Sequence, residues 1–91
     1  MIIWDEIKRE QNIQKHGIDL ADVGCVFDAP MITVEDKIKI YGEQRLQSLC
    51  WFRDRVVFLV WTEREDSVRV ISCRYGDKHE TKTYFKTVGV Y

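Results

Sequence analysis

The spacing of apolar positions changes character along the chain. Met1 to Trp4 is a short apolar opening that reads as an edge strand. Asp5 supplies a carboxylate N-cap for a helix running to about His16. Gly17 offers the left-handed position that ends it, and apolar Ile18 follows. Asp19 caps a second predicted helix, from Leu20 to about Val26. Past Pro30 the period becomes two: Ile32, Val34, Ile38 and Ile40 alternate with Thr33, Glu35, Lys37 and Lys39, and Asp36 breaks the register as a bend or bulge would. Tyr41 to Gln44 reads as a turn, 45–52 as a strand, and Arg53-Asp54 as a tight connection. Val56 to Trp61 is apolar throughout, as a central strand covered on both faces requires. Glu65-Asp66 turns the chain into a strand from Ser67 to Arg74, and Asp77 to about Phe85 reads as a helix with Lys78, Lys82 and Lys86 spaced by four. The order α-α-β-β-β-β-α predicts an α+β fold, one domain over residues 1–91: a small antiparallel meander of about four strands, two N-terminal helices and a C-terminal helix.

Two regions gather polar groups. The first helix has no apolar stripe, since Ile7 and Ile13 do not share a face. Lys8, Asn12 and Lys15 do share one, with His16 beside them. That face reads either as solvated or as a basic wall ending in an imidazole, with Lys8 and Lys15 holding phosphates and His16 serving as general acid or base. In the sheet, two-residue hairpins at Arg53-Asp54 and Glu65-Asp66 would place Arg45, Gln47, Thr62, Arg64 and Arg69 near one end of one face, above Leu49, Trp51, Phe58, Val60, Ile71 and Cys73. The other face would carry Val57, Leu59, Trp61, Val68, Val70 and Ser72, with Arg74 at its opposite end. Guanidiniums gathered at a sheet rim bind phosphate bidentately, or else pair across strands with Glu43, Glu63 and Glu65. His79 reads as an exposed helix residue, Tyr84 as core, and Trp4, Trp51 and Trp61 as core by default, Trp51 keeping a base-stacking alternative if its face is open.

Composition narrows the function classes. The longest apolar run, Val56 to Trp61, falls far short of the roughly 20 residues that span a bilayer, and no signal-peptide pattern is seen. Cys25, Cys50 and Cys73 are odd in number, form no CxxC pair and sit among apolar neighbours, which predicts a reduced, cytoplasmic protein using them as small hydrophobes, without disulfides or structural zinc. Net charge is −1, which argues against a uniformly basic nucleic-acid binder. The charge is segregated, however. Residues 17–36 hold five acids and no base, whereas 37–55 hold five bases against Glu43 and Asp54, so one basic face remains available. Phosphate loops, HExxH and Gly-x-Ser-x-Gly are absent, and no acid spacing fits a two-metal site; any catalysis is expected to need no metal or other cofactor.

The run Trp4-Asp5-x-x-Lys8-x-x-x-Asn12-x-x-Lys15-His16-Gly17-Ile18 resembles the opening of the BrnT family of bacterial toxins. Tyr41-Gly42-Glu43-x-Arg45 is similar to that family's second signature, and Thr62-Glu63-Arg64 with Arg69-Val70-Ile71-Ser72-Cys73-Arg74 to its third; Glu80 and Tyr84 fit its C-terminal helix. The motifs run in order over residues 3–84. Departures lie at Leu20, where the family commonly has Phe, and at Cys73 and Gly76, where it commonly has Ala; the tail Val88 to Tyr91 has no place in the pattern.

The resemblance implies the toxin half of a type II toxin–antitoxin module, with a RelE/ParE-like fold, acting as a ribonuclease that stops translation. It implies a BrnA-like ribbon-helix-helix antitoxin as partner, contact with operator DNA only through that antitoxin, and RNA as substrate. Homodimer and toxin–antitoxin heterotetramer both stay open. Metal-free RNA cleavage needs a base for the 2′-hydroxyl proton, cations around the phosphorane and an acid for the leaving oxygen. His16, Glu43, Arg64 and Arg74 are the expected catalytic residues, and Lys8, Lys15, Arg45 and Arg69 the expected RNA contacts. A toxin with a protein target, and an inactive module kept as an antitoxin-binding co-repressor, are the alternatives.

Overall fold

The computed structural model describes residues 1–36 and 42–89. Strand β1 (Ile2–Ile3) leads into helix α1 (Glu6–His16), a 3-10 helix (Leu20–Asp28), strands β2 (Ile32–Asp36), β3 (Arg45–Phe52), β4 (Arg55–Glu63) and β5 (Val68–Tyr75), and helix α2 (Lys78–Val88). The expected continuation of the alternation through Lys37, Ile38, Lys39 and Ile40, and Tyr41 at the start of the expected turn, lie outside the described residues.

The caps act as their chemistry predicts. The Asp5 carboxylate accepts from the N–H groups of Ile7 and Lys8, and Gly17 ends α1 at φ 69°. Asp77 and Glu80 form a reciprocal capping box at the start of α2. The segment after Asp19 departs from expectation by winding as a 3-10 helix. The cap itself is as read, with the Asp19 carboxylate accepting from Ala21 N–H. Gly24 faces β1, where an added Cβ would lie 3.4 Å from Ile2 Cδ1.

The sheet is mixed and five-stranded, in the order β1-β5-β4-β3-β2, correcting the four-stranded antiparallel expectation. β1, expected as an edge strand, is one: it pairs parallel to β5 through Ile2 with Val68 and Ile3 with Arg69. Both hairpins turn as predicted. Arg53 and Asp54 adopt φ 50° and 63°, the positive pair that a two-residue type I′ turn demands, and Arg64 N–H donates to Ser67 O across Glu65-Asp66.

One irregularity reorders the faces. Trp61 pairs with Val70, but the preceding residue of β4, Val60, pairs with Ser72. Ile71 is therefore the extra residue of a β-bulge, and it shifts the alternation of β5 by one. Ser72 and Arg74, expected opposite the other arginines, lie on their face; Cys73, expected among them, points into the core.

The core fills the other face. Cys50, Phe52, Val57, Leu59, Trp61, Val70 and Cys73 pack against Ile18, just after α1, and Leu20, Val23 and Val26 from the 3-10 segment. Phe27 meets Trp61 edge to face at 5.1 Å. Helix α2 covers only one end of the arginine-bearing face, where Trp51 stacks on Tyr84 and meets Phe85, and the Tyr84 hydroxyl donates to Pro30 O at 2.8 Å. β4 is thus covered fully on one face and partly on the other, with Phe58 and Val60 half-buried. Cys25 is exposed, unlike the other two cysteines.

Candidate active site

Cross-strand register arranges the open face in rows. Arg69 pairs with Thr62, Asp36 pairs with Arg45, and continuing the β3–β4 register sets Arg45 opposite Thr62, so two guanidiniums flank one rim row. The next row is Ser72, Val60, Gln47 and Val34, and the one after it Arg74, Phe58, Leu49 and Ile32. Phe58 and Thr62 are four residues apart on β4, which puts the Arg74 row about 13 Å from the rim.

Helix α1 lies along the free edge of β5, beyond the end of β1. It is held there by a polar side chain, since Ile7 and Ile13 both face solvent. Asn12, read from sequence as part of a solvated face or basic wall, is 4% exposed. Its amide donates to Ile18 O and Cys73 O, and its oxygen accepts from Cys73 N–H. A second tie, from Arg9 to the Asp19 carboxylate at 2.8 and 2.9 Å, fixes α1 to the 3-10 segment. Between α1 and the bulge a cleft of about 680 Å³ is lined by Lys8, Asn12, Lys15, His16, Ile71 and Ser72, among others.

The eight predicted site residues fall mainly into two groups. Lys8, Lys15 and His16 line the cleft, with Arg74 close enough that its charge acts on His16. Burial first, then the positive charges of Lys15 and Arg74, hold the His16 imidazole below its ordinary pKa, so it is neutral at pH 7 and able to accept a proton. Arg74 is fixed by a fork on Glu80, with both nitrogens 2.8 Å from the carboxylate, and its guanidinium lies 4.5 Å from the centre of the Phe58 ring. This fork raises the Arg74 pKa and lowers that of Glu80. The second group is at the rim, where Glu43 pairs with Arg64 at 3.1 Å and Arg45 at 3.8 Å. Arg69 lies between the groups along β5, with Asp5 at 3.9 Å.

Three contributors escaped the sequence reading. Ser72 was assigned to the wrong face because the bulge was not anticipated, although the adjacent apolar pair Val70-Ile71 marks where the alternation slips. Glu80, seen only as a helix residue, holds Arg74. Asn12 docks the helix that carries the imidazole. Among the described residues, no group of three or more His, Cys, Asp or Glu side chains is placed to hold a metal ion. No helix there is long and apolar enough to cross a membrane.

The fold is shared with a known protein. The crystal structure of the Brucella abortus ribonuclease toxin BrnT, at 1.1 Å resolution, superposes with a TM-score of 0.71 at 30% identity, covering 85% of this chain and 96% of that one. No curated protein matches the sequence. The family model described as "Ribonuclease toxin, BrnT, of type II toxin-antitoxin system" matches residues 4–80, so the chain belongs to the BrnT family.

Proposed function

We propose that this chain is a metal-independent endoribonuclease that inhibits translation, with its chemistry in the cleft between α1 and the β5 bulge. The observation that carries the reading is His16. It is a half-buried imidazole without a hydrogen-bond partner among the described residues, neutral at pH 7, sharing a cleft with Lys8 and Lys15 and lying near Arg74. His16 takes the proton of a ribose 2′-hydroxyl, and that oxygen attacks the adjacent phosphorus. The bond from phosphorus to the 5′ oxygen breaks, and the imidazolium returns a proton to the leaving oxygen. A 2′,3′-cyclic phosphate and a 5′-hydroxyl result. Arg74, oriented by Glu80, offers positive charge to the phosphorane. Lys8 and Lys15 hold flanking phosphates, and Arg69 and Arg45 extend the track to the rim. Glu43 then has a different task from the acid–base role expected of it. It orients Arg45 and Arg64, which engage RNA away from the scissile bond.

Type II membership implies an antitoxin partner. A BrnA-like ribbon-helix-helix protein fits that role, in the cytoplasm, and would carry the complex to operator DNA. The test is incubation of end-labelled RNA with the antitoxin-free chain in EDTA. Discrete fragments ending in cyclic phosphate are expected, and His16→Ala should slow their appearance by about 100-fold or more. Intact RNA from a folded sample would turn the reading toward ribosome-dependent cleavage, a protein target or an inactive co-repressor. Full activity of His16→Ala would remove the imidazole from the chemistry.

A further inference from the structure

Strand β5 loses its neighbour partway along. β1 supplies partners only as far as Arg69, so among the described residues the outer edge beyond the bulge has no strand beside it. Asn12 stands in for one there: its side chain takes both the N–H and the C=O of Cys73, as a paired strand would. Its remaining amide hydrogen goes to Ile18 O, just past the turn that ends α1. Cys73 lies between Ser72 and Arg74. On the helix, Asn12 is four residues from Lys8, three from Lys15 and four from His16, so one face carries them all. No apolar stripe of α1 shares the task.

We propose that Asn12 is a positioning residue: by clasping the Cys73 peptide it sets the placement of His16 on α1 relative to Ser72 and Arg74 on β5. The catalytic consequence rests on the ribonuclease reading, but the placement itself does not. Two flexible lysines keep phosphates in reach through a small displacement of the helix, whereas proton transfer to a short imidazole does not tolerate one. A shift of α1 therefore acts on turnover more than on substrate affinity.

Two variants separate positioning from mere stabilisation. Asn12→Gln keeps every donor and acceptor but is one methylene longer, which pushes α1 outward. Asn12→Ser is too short to span both Cys73 groups. Neither adds charge near His16, whose charged neighbours are Lys15 on α1 and Arg74 on β5. Folding is checked by circular dichroism, His16 is titrated by NMR through its ring carbon-bound protons, and kcat and KM are measured on RNA.

The expected result is a folded Asn12→Gln protein whose His16 titrates closer to its ordinary value, with kcat lowered by about tenfold or more and KM within about twofold. An unmoved His16 titration in a folded variant overturns the proposal. So does failure of both variants to fold, which would make Asn12 a folding residue only. A His16 titration that moves, in a protein whose parent form cleaves no RNA, supports the positioning and overturns the ribonuclease reading instead.

Discussion

Ser48→Ala probes the polar chain that crosses the core. The Trp61 indole, 8% exposed, donates to Ser48 Oγ at 2.9 Å, and Ser48, 1% exposed, lies 2.7 Å from the Thr33 hydroxyl across the β2–β3 pair. An indole N–H only donates, so Ser48 accepts from Trp61, and either hydroxyl can donate in the Ser48–Thr33 bond. Removing the Ser48 hydroxyl leaves two groups without it. Thr33 is exposed and turns to water at little cost. The Trp61 N–H is left buried and unsatisfied, which costs about 2 kcal/mol within a usual span of about 1–3. For a chain of this size that lowers Tm by roughly 10 °C. In a Trp61→Phe background the orphaned donor is gone, and the same Ser48→Ala change should cost about 0.5 kcal/mol. The cycle therefore carries a coupling of about 1.5 kcal/mol. Urea unfolding of the four proteins, followed by far-ultraviolet circular dichroism because Trp61 is itself varied, measures it. Equal costs in the two backgrounds would refute the assignment of the penalty to the indole.

Asp54→Gly should stabilise the β3–β4 hairpin by about 0.5–1 kcal/mol, because residue 54 sits at φ 63° where glycine carries no Cβ penalty; thermal melting checks it. Asp19 is held at a pKa of about 2, chiefly by Arg9, against an ordinary 3.8. A depressed carboxylate contributes stability that is complete above the unfolded value and is lost as pH falls from about 4 toward 2. Asn in place of Asp19 should flatten stability against pH in that window, and a parallel acid titration of both proteins shows it. Burial pushes the Cys50 and Cys73 thiols up to about 12, while Cys25 is exposed. Native protein should accept one equivalent of a maleimide quickly and all three only in denaturant, as mass spectrometry reports.

Local chemistry made the first helix caps and the hairpins legible: Asp5, Gly17, Asp19 and Arg53-Asp54 act through their immediate neighbours. What depended on distant partners was harder to read. The apolar opening marked an edge strand, but its parallel pairing with β5, at the far end of the chain, left no local trace. The bulge did leave a trace, in the adjacent Val70 and Ile71, but an unbroken hairpin register carried the alternation straight through it and sent Arg74 to the wrong face. Asn12 misled in the opposite way. Polar side chains at helical spacing usually mean water, and here one of them replaces an absent strand. Lys8, Lys15 and His16 were found as a group because helical spacing joins them. Their meeting with Arg74 required a tertiary contact that composition does not encode.

The clasp between Asn12 and Cys73 joins residues 61 positions apart. During synthesis the imidazole and both cleft lysines leave the ribosome long before β5 exists, and closing so long a loop is entropically costly and late. The unfinished chain therefore holds the parts of its cleft without the cleft. Any activity that needs His16 beside Arg74 begins only when the last strand has been made and has found its edge.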